Sequence, residues 1–455
     1  MIVMKFGGTS VESAAAIQRV ASIVKERLAR RPVVVVSAMG KTTNRLLAMA
    51  ADAVEGRREQ AVAQLRELRE FHLKEARLVA GPAAAEMEGI IEGHFQELAE
   101  LLGSLAALGE LTPRSVDAIS SYGERLSSQI VTLAFRHCGM EAVHLDSRRL
   151  IVTDRRHTQA APLYAQTNRR LAEAIPPLAG DRVVVMGGFI GATEDGVTTT
   201  LGRGGSDFTA AIVGAGIGAE EIQIWTDVDG MLTSDPSLVP EARRVKTISF
   251  AEAAEMAYFG AKVLHPATVL PAVEKNIPVL ILNSRRPETL GTRIIAEAVP
   301  CANPIKSIAC KRNITVVDVR STRMLMAHGF LRRIFEVFDR FETPVDMLAT
   351  SEVSVSLTID NTERLAEIRR ELREFAEVSV EENQAIVCLV GDNIRYTPGI
   401  AARAFGALNH VNIRMISQGA SLRNLGCVVA QEDMPAAARA LHREFFQELD
   451  PAVFD

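Results

Sequence analysis

Long hydrophobic runs are missing from this sequence. Its apolar stretches, such as Pro32 to Val36 and Val183 to Met186, have strand length and fall far short of a bilayer span. No membrane role is expected. The start, Met1-Ile2-Val3-Met4-Lys5-Phe6-Gly7-Gly8, reads as a strand with no basic, apolar leader before it, so a cytoplasmic location is expected. Cysteine is scarce as well. The five residues Cys138, Cys301, Cys310, Cys388 and Cys427 are odd in number and include no Cys-x-x-Cys pair, which excludes a disulfide framework and a zinc site of that kind. They are expected to be reduced and partly buried. Positive charge is not in excess: 51 Lys and Arg face 56 Asp and Glu, a net charge of -5. With no basic patch interleaved by aromatics, nucleic acid is not an expected partner. What is present is ordinary for globular protein, 47% hydrophobic and 24% charged, over 455 residues that suffice for two to four domains.

The chain is organised around Thr198-Thr199-Thr200-Leu201-Gly202-Arg203-Gly204-Gly205-Ser206-Asp207-Phe208-Thr209-Ala210-Ala211. Three threonines read as extended backbone, the glycines open conformations closed to other residues, and Asp207 to Ala211 begins an Ala-rich helix. The free N–H groups and positive dipole end of a helix's first turn suit a phosphate. An ordinary tight turn would read the same way. Arg203 adds a fork for a carboxylate or phosphate, while Asp207 adds a negative charge suited to holding a cation or polarising a lysine. Lys5, ending the first strand beside Gly7-Gly8, is either a surface lysine or an ammonium that meets a phosphate also bound by the glycine amides.

In chain order, the strand Ile2 to Phe6 leads to a helix expected over Val11 to Arg30 and then to Pro32-Val33-Val34-Val35-Val36, a β-branched run fit for the interior of a parallel sheet. The polar loop Ser37 to Asn44 follows at the carboxyl end of that strand, where open α/β sheets place ligands. Arg45 to about Leu108 reads as helical, with breaks near Gly81-Pro82 and Gly103 and a solvated Glu/Arg-rich face. Strands near Ala142 to Leu145, Val183 to Met186, Glu221 to Thr226 and Val279 to Leu282 alternate with helices. The pattern is α/β, a helix-sheet-helix sandwich over residues 1–295.

Beyond the boundary segment 296–305, with Pro300 and Pro304, the character changes. Gly329-Phe330-Leu331-Arg332-Arg333-Ile334-Phe335 and Gly399-Ile400-Ala401-Ala402-Arg403-Ala404-Phe405 match in glycine, phenylalanine and apolar spacing, an internal repeat of about 70 residues. Each copy reads β-α-β-β-α-β, the ferredoxin-like pattern. Two such units are expected at 306–383 and 384–455, with strands open to exchange between them.

Five segments together are more specific than any alone: Lys5-Phe6-Gly7-Gly8-Thr9-Ser10, Tyr122-Gly123-Glu124-Arg125-Leu126-Ser127, Leu201 to Asp207, Trp225-Thr226-Asp227-Val228-Asp229-Gly230, and Phe259-Gly260-Ala261-Lys262-Val263-Leu264-His265-Pro266. They resemble the signature segments of aspartate kinase, and within that family the monofunctional, lysine-sensitive enzymes. The tail resembles the family's paired ACT domains. The resemblance implies transfer of phosphate from ATP, with Mg²⁺, to the side chain of L-aspartate, giving 4-phospho-L-aspartate and ADP on the route to lysine, threonine and methionine. A carboxylate with a pKa of about 3.9 needs no general base. It needs cancellation of charge between two anions, and positioning.

By the same resemblance, Lys5 and Asp207 would be catalytic; Lys5, Phe6, Gly7, Gly8, Thr226, Asp227, Leu232 and Lys262 would meet ATP; and Thr43, Glu124, Phe189, Arg203 and Ser206 would hold aspartate. Arg203 would take the α-carboxylate and Glu124 the ammonium. Lysine, or threonine in its place, would act through Met324, Met326, Ala327, Gly329, Leu331, Asp346, Thr350, Ser351, Glu352 and Val353, in a homodimer or homotetramer paired through the ACT domains. The family often has tyrosine where this chain has Leu232, and a basic residue near Ser237. Another amino acid kinase, or a non-catalytic amino-acid sensor, are the alternatives. Retention of Lys5, Glu124, Arg203 and Asp207 together argues against the sensor.

Overall fold

The computed structural model describes residues 1–260, 264, 266–321 and 328–455, the side chain of residue 82 excepted. The chain forms two compact units, Met1–Met231 with Val263–Ala296, and Leu232–Lys262 with Glu297–Asp455.

In the first unit, seven strands run in the order Ala142–Leu145, Val183–Gly187, Pro32–Val36, Ile2–Phe6, Glu221–Thr226, Val279–Asn283 and Thr292–Ile295. All neighbours are parallel except the last pair. The central strands are buried along their whole length, which is why Pro32–Val36 can be β-branched and apolar without alternation. Helices supply the apolar cover: Ile17, Val20 and Val24 of Ala14–Lys25 and Leu126, Ile130 and Val131 of Tyr122–His137 join one core with Ile2, Met4 and Val34.

Local details depart from the sequence reading. The helix expected over Val11 to Arg30 is Ala14–Lys25, capped by Ser13, whose side chain accepts from the Ala16 amide. The long helical region breaks at Gly81-Pro82 but not at Gly103, which lies inside Ala84–Leu108. A helical glycine costs about 1 kcal/mol relative to alanine, and burial of Phe95, Leu98, Leu102 and Leu105 on the same helix outweighs it. The threonine run forms a separate antiparallel ribbon, Thr198–Thr200 against Ile190–Ala192.

In the second unit, six antiparallel strands run in the order Leu348–Thr350, Ser354–Ile359, Ile305–Arg320, Glu377–Gly391, Asn424–Ala430 and Ile413–Gln418. The repeat is visible in the backbone: Gly329 and Gly399 cap the helices Phe330–Arg340 and Ile400–Ala407 at φ 81° and 85°, a left-handed conformation that favours glycine. The two long strands serve both copies. Val316–Arg320 pairs with Glu377–Glu381 beside the first helix pair, whereas Ser307–Lys311 pairs with Ile386–Val390 beside the second repeat.

By packing, the segment 232–260 falls in this second unit, while the sequence reading placed it within residues 1–295. Its polar groups explain why. The Glu255 carboxylate accepts from Ser421 Oγ at 2.6 Å and Asn424 Nδ2 at 2.7 Å, and Thr233 bonds His442 at 2.9 Å. Helix Phe250–Tyr258 in this segment starts at a capping box of Ser249 and Glu252.

Candidate active site

Lys5 stands near the carboxyl end of the central strand Ile2–Phe6, flanked by Pro32–Val36 and Glu221–Thr226. Its Nζ lies 2.7 Å from Asp207 Oδ1. Asp207 is in the first turn of helix Gly205–Ile217, where a carboxylate is favoured by the helix dipole. This pair edges a cavity of about 330 Å³ lined by Lys5, Ser37, Thr43, Glu124, Phe189, Gly202, Arg203, Gly204, Gly205, Ser206 and Asp207. All the residues expected to hold aspartate are among them.

The chain's close approaches explain the glycines around it. A Cβ on Gly188 would stand 2.7 Å from Ser206 Cβ, so only glycine lets the end of strand Val183–Gly187 touch the helix start. Phe189 follows with φ 65°, its amide donating to Thr209 Oγ1 at 2.9 Å and its carbonyl accepting from Leu201 N at 2.9 Å. Those two bonds fasten the loop that carries Arg203.

Glu124 is 4% exposed, near the start of helix Tyr122–His137. The Ala38 amide donates to its Oε1 at 3.1 Å, while Oε2 is buried with no hydrogen-bond partner among the described residues. Burial pushes its carboxyl up to about 8, against a smaller opposing effect of the Ala38 bond. A buried, half-satisfied carboxylate oxygen calls for a donor. Arg203, across the cavity, is exposed and enters no ion pair among the described residues. One unmatched carboxylate and one unmatched guanidinium in a single cavity fit the ammonium and carboxylate of a zwitterion.

The expected nucleotide residues separate. Phe6 is fully buried, its ring stacked on Trp225 with centroids 5.9 Å apart, so its side chain is core and not a nucleotide contact. The Gly7 amide donates to the Trp225 carbonyl at 3.2 Å and is already engaged; Gly8 packs within 3.0 Å of the Ala38 and Gly40 carbonyls at its would-be Cβ. Thr226 and Asp227 sit at the end of strand Glu221–Thr226, beside the Lys5 strand, with Thr226 Oγ1 3.3 Å from Asp227 Oδ1. Leu232 falls in the second unit, bridged to Arg244. Lys262 lies outside the described residues.

Of the expected effector residues, Met324, Met326 and Ala327 also lie outside the described residues. Gly329 caps its helix, and Leu331, Thr350, Ser351, Glu352 and Val353 are exposed. Asp346 differs from expectation: its side chain is 4% exposed, and its Oδ1 already receives Lys311 Nζ at 2.8 Å and the Tyr258 hydroxyl at 3.1 Å. Its Oδ2 lacks a partner among the described residues. Burial, with Asp346 nearby, pushes the Tyr258 hydroxyl up to about 12.

Sequence reasoning placed Ser37, which lines the cavity, in a loop expected to meet a ligand without singling it out, and it missed Lys311. It also missed Asp117, a fully buried carboxylate that binds Thr200, His157 and Thr158.

A lysine at the carboxyl end of a parallel strand, paired with an aspartate at a helix start beside an amino-acid-sized cavity, fits a kinase of small carboxylic substrates. Residues 1–283 match the amino acid kinase family, and residues 387–445 match an ACT domain. Lysine-sensitive aspartokinase 3 of Escherichia coli (strain K12) is 37% identical over 457 residues, covering 98% of this chain and 99% of that protein. Crystal structures of E. coli aspartokinase III with aspartate and ADP (R-state) and with lysine and aspartate (T-state) each superpose with a TM-score of 0.85 at 36% identity, over 98% of this chain and all of theirs. The chain belongs to the aspartate kinase family.

Proposed function

We infer that this chain is an aspartate kinase that transfers the γ-phosphoryl group of ATP to the side-chain carboxylate of L-aspartate, under feedback control through its ACT units. The observation that carries the substrate is the cavity itself: Glu124 with a buried, unpartnered oxygen and Arg203 without an ion pair, on either side of a space bounded by Lys5. Glu124 holds the substrate ammonium, Arg203 its α-carboxylate, and Thr43, Phe189 and Ser206 shape the remainder. The reactive carboxylate then points toward Lys5.

The reaction brings two anions together, so stabilisation of charge is the main task. Lys5 neutralises the transferring phosphoryl group, and Asp207 orients the Lys5 ammonium through their 2.7 Å contact. Thr226 and Asp227, on the next strand, meet the nucleotide. Mg²⁺ would come with the ATP phosphates, and Asp207 is the carboxylate in the cavity, apart from Glu124, that would hold it. When bound, the ion supplies positive charge to those phosphates.

E. coli aspartokinase III is crystallised with lysine and, separately, with ADP, and lysine is the effector proposed here, received by Asp346 Oδ2 and Glu352. The proposed setting is a cytoplasmic homodimer or homotetramer. Among the described residues no helix is long and apolar enough to cross a membrane. The test is ADP release with aspartate, glutamate or acetylglutamate as acceptor, repeated with lysine and with threonine. Turnover with aspartate alone, suppressed by lysine, is the expected result; turnover only with another acceptor overturns it.

A further inference from the structure

The Asp117 carboxylate is fully buried and outside the substrate cavity, yet four hydrogen bonds converge on it. Thr200 Oγ1 donates to Oδ1 at 2.5 Å, His157 Nδ1 lies 2.6 Å from Oδ2, and the Thr158 amide donates to both oxygens at 3.0 and 3.1 Å. Three separate segments meet here. Asp117 lies on helix Pro113–Ser120, which passes at Ser121 into Tyr122–His137, the helix of Glu124. Thr200 ends the strand Thr198–Thr200 that runs into the Arg203 loop. Thr158, at φ 69°, belongs to the segment that walls that loop: its carbonyl is 3.2 Å from the place of a Gly202 Cβ, and the Ala160 amide donates to the Thr200 carbonyl at 2.9 Å. A non-glycine residue in the left-handed region is strained, and here the two bonds to Asp117 hold it.

We propose that Asp117, with His157 as its partner, is a positioning residue that fixes Glu124 and Arg203 relative to each other and to the helix start whose Asp207 meets Lys5, and so sets how long a side chain can present its carboxylate in line. The proposal rests on the assignment of those two residues to the substrate's ammonium and α-carboxylate. A buried carboxylate is costly unless its bonds are complete. Asp117 meets that condition only while the Glu124 helix, the Arg203 strand and the 157–160 segment keep their relative places. The site's two charges, borne on different segments, are thereby held as one rigid pair. Glutamate carries one more methylene between its α-carbon and the reacting carboxylate, so holding the two groups of the α-carbon at a fixed distance from Lys5 is what puts that carboxylate out of line with the phosphoryl group.

The experiment compares wild type, Asp117→Asn, His157→Ala and His157→Asn for turnover with aspartate and with glutamate, and for the KM of ATP. Asp117→Asn keeps the volume and an acceptor for Thr200 but loses the charge. Displacement by about 1 Å costs roughly 100-fold in efficiency, so kcat/KM for aspartate should fall on that scale while the KM of ATP stays within about twofold. The preference for aspartate over glutamate should narrow. His157→Ala should show the same pattern more weakly, and His157→Asn, whose amide can still donate to Asp117, should recover part of the loss. If Asp117→Asn does not fold, the two His157 variants decide. Unchanged selectivity with an unchanged KM for aspartate, or equal losses for both substrates, overturns the proposal. Wild-type enzyme that turns over no aspartate would instead overturn the substrate assignment.

Discussion

Lys311 Nζ lies 2.8 Å from Asp346 Oδ1 and 2.9 Å from Asp360 Oδ2, placing an ammonium from the chain itself on the carboxylate proposed to receive the effector. Burial pulls this ammonium's pKa down, but the bonds to Asp346 and Asp360 outweigh it and hold the group above the usual lysine value. The effector proposed above would therefore meet a carboxylate that is already half-matched, with Oδ2 left to it.

Replacing Lys311 by methionine should make that site hungrier for a cation. Breaking a buried pair from one side costs up to about 3 to 5 kcal/mol, less here because Lys311 is 18% exposed. The expected outcome is a lower melting temperature without lysine, recovery of stability when lysine is added, and inhibition at lower lysine concentration. Identical lysine titrations for Lys311→Met and wild type would remove Asp346 from the effector site.

Lys5→Ala and Asp207→Ala should each abolish measurable turnover while circular dichroism remains that of wild type. Loss of one preorganised electrostatic contact costs about 3 to 4 kcal/mol, or 10²- to 10³-fold in rate. Rates within a few-fold of wild type in both variants would contradict the role of the 2.7 Å pair.

Much of this site was legible in local strings, because Lys5, Glu124, Arg203 and Asp207 each sit in a short segment of glycines and polar residues at the end of a strand or the start of a helix. The burial of the Phe6 side chain was readable from alternation alone: successive side chains of a strand point to opposite faces, so with Lys5 turned to the cavity the Phe6 ring turns to the core. Asp117 gave no such signal. Its partners His157 and Thr200 lie 40 and 83 residues away and become neighbours only in the folded chain. The allegiance of 232–260 to the second unit was hidden for the same reason, since Glu255 finds Asn424 across 169 residues.

Glu124 should give the chain a pH signature. Its carboxyl, raised by burial from the usual 4.5 to about 8, binds a proton in the folded chain that the unfolded chain has released. Between those two values stability should fall as pH rises, by up to about 1.4 kcal/mol per unit of pH. Glu124→Gln should flatten that slope in denaturant titrations across this window. In wild type, aspartate binding below pH 8 should release a proton as the substrate ammonium takes its place, seen as a binding heat that varies with buffer ionisation. A buffer-independent heat at pH 7 would mean that Glu124 is already ionised.

Arg203→Ala should raise the KM of aspartate with little change in that of ATP, because the side chain lines the substrate cavity and no ion pair among the described residues competes for it. A hydrogen bond to a charged group contributes about 1.5 to 3 kcal/mol, which corresponds to roughly 10- to 150-fold in affinity. An unchanged KM for aspartate would show that its α-carboxylate is read elsewhere.

The shared long strands have a consequence for how the tail comes into being. Ser307–Lys311 leaves the ribosome about 80 residues before Ile386–Val390, the stretch it pairs with. During synthesis that strand must wait with one edge open, so the first repeat cannot be completed and released before the second is made. Neither repeat is a separable cassette: a fragment cut at residue 384 would deprive the second repeat of its border strand and the first of the sequence that anchors its far end. Non-local pairing of this kind is slow to form and exposes an unpaired edge in the meantime. It also ties the two repeats into one mechanical piece, so a push on either copy is carried by covalent backbone into the other.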